Sequence, residues 1–297
     1  MIENKSIGSK IRFVIIHVVV ILLAVLCLLP LWNIVCISFS SSAAVAGNRV
    51  GLLPVQATVA AYEKIIGDGQ FWRSFGISVL RVIVALGLNL LMIILMAYPL
   101  SKTKSEFRAR NIYMYLLVFA MLFSGGMIPT YLVIKELGLL NSIWSLILPG
   151  AVPIFSVIMV MNFFMGIPKS LEEAATLDGA TPLQVLLRIY VPCSKPSLAT
   201  VALFSIVGNW NDFYSGLIYI TKIKNYPVMT YIQSLSVNLE ELIKAGSSSQ
   251  ALANAAEVSN QNLNAAKIVV AVVPLLLIYP MLQKYLITGI VMGSVKE

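Results

Sequence analysis

Long apolar runs recur along this chain, at about residues 12–37, 72–100, 112–134, 143–166, 198–220 and 266–287, and nothing else in it limits the fold as much. Each is near the roughly 20 residues that a helix needs to cross the hydrocarbon core of a bilayer. The runs predict an all-α membrane protein with six transmembrane helices. Composition agrees, because 59% of the 297 residues are hydrophobic and 11% are charged, against about 25% charged in soluble domains. One transmembrane domain over residues 1–297 is expected, with no soluble catalytic domain beside it.

The formal charge of +8 does not point to nucleic acid, because the basic residues form short clusters between apolar runs and not one stripe. Lys5, Lys10 and Arg12 flank the first run, Lys102, Lys104, Arg108 and Arg110 follow the second, and Lys169, Arg188 and Lys195 follow the fourth. The positive-inside rule then places both termini in the cytoplasm and segments 40–71 and 221–265 outside. Ala44-Val45-Ala46 has the form of a signal-peptidase site, but the run before it exceeds the 7–15 residues or so of a signal core, so an uncleaved first helix is expected. Cys27, Cys36 and Cys193 show neither CxxC spacing nor an even framework and read as packing residues.

Pro149 and Pro153 in the fourth run, Pro274 and Pro280 in the sixth, and Gly125, Gly126 and Pro129 near the outer end of the third are expected to bend or interrupt their helices. Taken singly, most of these kinks read equally as packing devices. Residues 130–142 fit either a short helix on the outer surface or an extension of the third span. The stretch 245–256, rich in Ser, Asn and Ala, is expected to be a mobile loop.

The segment 167–196, IPKSLEEAATLDGATPLQVLLRIYVPCSKP, reads as two short helices. Ser170 and Glu173 have capping-box spacing for the first, and Asp178-Gly179 ends it with glycine in the left-handed position. Thr181, Pro182 and Gln184 begin the second with another capping box, and Pro192 closes it. A loop with no binding role can adopt this form too.

The pattern Glu173-Ala174-Ala175, Gly179, Ile189 and Pro192 resembles the EAA motif of binding-protein-dependent ABC importers, with Val191 where the family usually has Leu. The strings Tyr98-Pro99-Leu100-Ser101-Lys102, Phe123-Ser124-Gly125-Gly126-Met127-Ile128-Pro129-Thr130-Tyr131 and Trp210-Asn211-Asp212, with the tail 289–296, are similar to carbohydrate-importer permeases of the polysaccharide or aldouronate subfamily, relatives of the second permease of the maltose system. The resemblance covers nearly the whole chain. It implies a type I ABC importer permease, with a cytoplasmic helix-turn-helix coupling loop (about 167–197) docked in a cleft of the ATPase. Glu173, Ala174, Ala175, Gly179, Ile189 and Pro192 would make that contact. The implied partners are a second homologous permease, a dimer of ATP-binding-cassette ATPases that uses ATP and Mg, an extracytoplasmic solute-binding protein and the bilayer. No cofactor or metal is expected on this chain, and no catalytic residue. The tail, about 288–297, either reaches between the ATPases or is an idle terminus.

For the solute, an oligosaccharide is expected. A face of the fifth run carries Ser205, Asn209, Asp212, Gly216 and Tyr219 at spacings of four and three, which predicts one stripe on a continuous helix. Asn209 and Asp212 would line the route, with Trp210 and Tyr214 offering apolar surface, or else these polar groups only bond between helices. Arg81 reads as a solute contact or as a snorkelling side chain, and His17 as a packing or interfacial residue. The competing classes are an ABC permease for another solute and an ion-coupled secondary transporter. The chain has no GxxxxGK[ST], HExxH or GxSxG string, so hydrolytic chemistry would have to come from a partner.

Overall fold

A computed structural model of the chain describes residues 7–235 and 261–294, and among them the regular structure is helical throughout. Lys5, the stretch 245–256 and the last residues of the tail, from 295 onward, lie outside the described residues. The chain divides into two compact bodies, Met1–Gly69 with Leu235–Val272, and Gln70–Ser234 with Val273–Glu297.

The first body holds α1 (Ile7–Ser38), α2 (Ser42–Ala46), α3 (Ala60–Gly67) and the start of the last helix, Gln261–Ser294. On α1, side chains from Phe13 to Trp32 are exposed around the whole circumference. They are apolar on every side, as a helix solvated by lipid or by another subunit must be. His17 Nδ1 bonds to Phe13 O at 2.8 Å within the same helix and its ring lies on Phe13. At the other end Trp32 Nε1 and Asn33 Nδ2 donate to Leu52 O and Gly51 O, so the chain folds back on α1. Cys36 is buried there, whereas Cys27 and Cys193 are exposed, so only Cys36 packs as expected. Lys267 Nζ meets Asp68 Oδ2 at 2.6 Å, a nearly buried lysine neutralised by a carboxylate.

The second body is organised by α4 (Gly69–Ser101), one unbroken helix. Its buried positions Ser74, Ser78, Arg81, Ala85, Asn89, Ile93, Ala97 and Leu100 follow the three- and four-residue spacing of a single helix face. Against that face pack α5 (Arg110–Leu122), α8 (Ile154–Met165) and α12 (Lys195–Asn211), with Ile93, Ala97, Leu117, Val157, Phe164 and Val201 in one core.

Three continuous helices are long and apolar enough to cross a membrane, and three bent pairs bring the number to as many as six if each pair is one span. In the first pair α5 turns 113° into α6 (Met127–Glu136). Gly125 and Gly126 form the break, and Gly126 has φ +84, a conformation open to glycine without cost. The short helix expected at 130–142 is therefore α6, starting three residues earlier. In the second pair α7 (Ile143–Ile147) and a 3-10 turn (Leu148–Gly150) meet α8 at 46° next to Pro153. The third pair joins the segment Pro182–Cys193 to α12 at 82°.

The last helix is not interrupted at Pro274 or Pro280, the two positions expected to bend or interrupt it, but runs on to Ser294, so most of the expected tail is helical. One expectation is corrected outright. The fifth run is not one helix: α12 stops at Asn211 and α13 (Tyr214–Tyr219) starts afresh. Of the expected outer loop, residues 221–235 are described and contain a 3-10 turn, Ile223–Asn225, and a helical stretch at 228–235.

Candidate functional site: the 167–196 hairpin and the polar joints of α4

The hairpin begins with α9 (Lys169–Leu177), whose N-cap is Pro168 and carries no side-chain cap. Ser170 thus lies inside the first turn, and the Ser170–Glu173 capping box does not form. Proline has no N–H and a fixed φ, which starts the helix two residues earlier than the spacing implied. Gly179 has φ +81, and an added Cβ there would meet no heavy atom within 4 Å. The need for glycine is therefore conformational, not steric.

The second capping box is present. Gln184 Oε1 accepts from Thr181 N at 2.8 Å, and Thr181 Oγ1 accepts from Gln184 N at 3.4 Å. Beyond α10 (Pro182–Val185) the chain makes a π-type turn, Leu186–Tyr190, before α11 (Val191–Cys193). Pro192 lies inside that last turn and does not end the helix. It cannot donate to the Arg188 carbonyl and its ring crowds it, which a wider turn relieves.

Glu173, Ala174, Gly179 and Pro192 are exposed. Ala175 and Ile189 are half-buried and pack against the bundle core with Val185, Leu186 and Tyr190. The small size of Ala175 therefore serves the close approach of the hairpin to its own bundle. Between the two arms is a cleft of about 360 Å³ lined by Ala175, Gly179, Gln184, Arg188 and Ile189 among others. Leu177 at the turn is 89% exposed, and Leu171, Leu183 and Leu187 are also exposed. Apolar side chains presented this way mark a contact surface, and the motif spacing did not single them out.

Spacing also missed the group that fixes the hairpin to the bundle. Lys102 Nζ, one residue past α4, donates to Glu172 Oε1 at 2.5 Å and to Tyr190 Oη at 3.2 Å, while Tyr190 Oη donates to Glu172 Oε2 at 2.6 Å. The ammonium also sits 4.3 and 4.5 Å from the ring centres of Tyr98 and Tyr190, where the ring faces attract it. Burial, followed by the Glu172 hydrogen bond and charge, raises the Tyr190 phenol well above its ordinary value. It is therefore a neutral donor at any physiological pH.

Farther along α4, Arg81 is 2% exposed and neither snorkels nor points at open space. Its guanidinium donates to Asp212 Oδ2 at 2.5 Å, Asp212 O at 3.1 Å and Leu146 O at 3.1 Å. Asp212 Oδ1 accepts from Ser215 N, in the first turn of α13, at 3.1 Å. Asn89 bridges to Ser205 Oγ at 3.0 Å; with its amide assigned to suit its neighbours, the nitrogen donates to Gly150 O and Ala151 O at 3.2 Å.

The stripe of the fifth run is thus split. Ser205, Gly216 and Tyr219 are buried, and Asn209 and Asp212 are half-buried. Asn209 Nδ2 donates to Ser205 O in its own helix. Trp210 is buried edge-on against Phe75 at 5.5 Å, whereas Tyr214 is exposed and its hydroxyl reaches Met127 Sδ. The structure brings Asp212 together with Arg81 and does not gather Asn209, Trp210, Asp212 and Tyr214 into one cluster.

Long apolar helices and a helical hairpin that packs on the core of the second body define a transport-type membrane domain. The chain belongs to the family of binding-protein-dependent transport system inner membrane components, whose model matches residues 83–292. It is 40% identical to Protein LplC of Bacillus subtilis (strain 168), over 91% of this chain and 89% of that one. It is 36% identical to the polygalacturonan/rhamnogalacturonan transport system permease protein YtcP of the same organism, over 93% and 95%. Among solved structures, a bacterial ABC transporter involved in import of the acidic polysaccharide alginate matches with TM-score 0.83 and 31% identity, over 94% and 98% of the two chains. A second, an alginate transporter in complex with a pentasaccharide-bound periplasmic protein, has TM-score 0.52 and 16% identity and shares the fold. The chain is a membrane-embedded permease component of a transport system.

Proposed function

We propose that this chain is one permease subunit of an ATP-driven importer that passes an oligosaccharide handed over by an extracytoplasmic binding protein. It pairs with a second, homologous permease, and an ATP-binding-cassette ATPase dimer, using ATP and Mg, docks on the hairpin from the cytoplasm. Both termini then lie in the cytoplasm, in keeping with Lys102, Lys104, Arg108 and Arg110 beside the hairpin.

The observation that carries this reading is the hairpin itself. A glycine in the left-handed conformation turns it, its inner face packs on the bundle, and its far face offers Glu173, Ala174 and Leu177 to a partner. The oligosaccharide rests on the names of similar permeases, YtcP above and the arabinooligosaccharides permease AraQ of Halalkalibacterium halodurans, 27% identical over 92% of this chain. Asn209 and Asp212, half-buried where α12 ends, border the route, and Tyr214 extends it, while Trp210 supports α4 through Phe75.

The test is uptake of labelled oligosaccharides into vesicles holding the reconstituted complex. Uptake that requires ATP, the ATPase and the loaded binding protein together supports the proposal. Uptake driven by an ion gradient without the ATPase overturns it.

A further inference from the structure

We infer that Lys102 and Tyr190, through Glu172, are positioning residues that make α4 the strut carrying the stroke of the hairpin to the break between α12 and α13. The inference rests on the proposed docking of an ATPase at that hairpin.

Three observations converge on it. First, α4 runs unbroken beside three bent pairs: 33 residues long, it spans about 50 Å at the α-helical rise. An unbroken helix transmits displacement along its axis, whereas a helix broken at glycine, proline or a cap absorbs it. Second, three polar side chains of its buried face reach elements other than α4. Arg81 holds Leu146 and Asp212, Asn89 holds Ser205, and Ser78 Oγ accepts from Val228 N at 2.8 Å. Third, its end beyond Ser101 is joined to α9 by a closed ring of polar contacts, Lys102 to Glu172, Glu172 to Tyr190 and Tyr190 to Lys102. Tyr98 and Tyr190 cover the ammonium from two sides.

Glu172 and Glu173 therefore divide the work. Glu172 faces inward and fastens α9 to α4, and Glu173, the next residue, is exposed to a partner. A push on the outer face of α9 reaches Lys102 through one side chain. About 30 Å along the same helix it arrives at Arg81, which holds Asp212 at the break. Packed elements of this kind shift between discrete arrangements.

The test uses the complete importer in lipid nanodiscs. Amide hydrogen exchange is followed at residues 208–216, nucleotide-free and trapped with ATP and vanadate, for the parent chain, Lys102→Met, Glu172→Gln and Lys102→Arg. Retention of the ATPase is measured in parallel. Trapping is expected to change exchange at the break by about tenfold in the parent, in the range of ordinary allosteric coupling. In Lys102→Met and Glu172→Gln that difference should collapse while the ATPase stays bound and nucleotide-free exchange is unchanged, and Lys102→Arg should restore it. A difference that survives in both variants, or is absent from the parent, overturns the strut. Loss of the ATPase from the two variants also overturns it, since the ring then only shapes the docking surface. A parent that never retains the ATPase overturns the proposed function instead.

Discussion

Arg81 and Asp212 stand 131 residues apart in the chain and meet at 2.5 Å, with side chains 3% and 25% exposed. Between them they tie α4 to the point where the fifth run breaks. Removing one partner leaves a charge without compensation in a poor solvent for it, which costs about 3 kcal/mol, the lower end for a broken buried pair because Asp212 keeps some exposure. Arg81→Met should therefore lower the melting temperature of the detergent-solubilised subunit markedly. Arg81→Met with Asp212→Asn should recover most of the loss, since both charges are gone and the asparagine oxygen still accepts from Ser215 N. A double variant no more stable than Arg81→Met would show that the pair does not act as a unit.

Gly179→Val should strain the hairpin turn by about 1–3 kcal/mol, because φ +81 is costly for a β-branched residue although the space around it is open. Co-purification of the ATPase is expected to fall. Full retention with normal hydrolysis would mean that the turn is not part of the docking surface.

The two arms of the hairpin should respond differently to loss of a hydroxyl. Thr181→Ala removes a cap that is made and should cost about 1 kcal/mol, seen as faster amide exchange over residues 182–186. Ser170→Ala removes none and should leave exchange over α9 unchanged. Equal effects at both sites would contradict the asymmetry of the caps.

Tyr190 supplies a pH test. Its phenol is raised by burial and by Glu172, so its contribution is fully present below the unfolded value of about 10 and is lost only as pH climbs toward the folded value. In Tyr190→Phe the late-titrating part of the tyrosinate absorbance should shrink while the part near the ordinary value keeps its amplitude. Loss of amplitude from the ordinary part instead would remove Tyr190 from the ring with Glu172.

The apolar spans could be read from the sequence because each is a solvent requirement, satisfied by composition alone. The second arm of the hairpin was equally plain, Thr181-Pro182 and Gln184 having local partners. What was not legible depends on contacts distant in sequence or on competing local signals. Pro168 took the cap from Ser170. The break in the fifth run came without Gly or Pro at residues 209–214, and its only sign was Asp212 three residues before Ser215, an N-cap spacing hidden in an apolar run. The Arg81–Asp212 pair was within reach of arithmetic. From the inner face, Asp212 falls at about 20 Å and Arg81 at about 16 Å of a core near 30 Å thick, close enough for opposite charges in lipid to find each other. Nothing comparable points from Lys102 to Glu172, 70 residues on, since either charge is ordinary beside a cytoplasmic loop.

The exposed circumference of α1 bears on how the chain is made. Lipid tails are about as apolar as its own side chains, so α1 gains little by finding neighbours and loses little by waiting for them. A nascent chain can leave that helix in the bilayer while residues 70–234 are still being synthesised, and the hold of Trp32 and Asn33 on Leu52 and Gly51 closes its C-terminal end using only the next twenty residues or so. The first helix is in this sense an anchorage laid down ahead of the bundle, whereas the charge within α4 must wait for Leu146 and Asp212 to arrive. Insertion of the second body is therefore a collective event, in which Arg81 remains unsatisfied until the later helices join it.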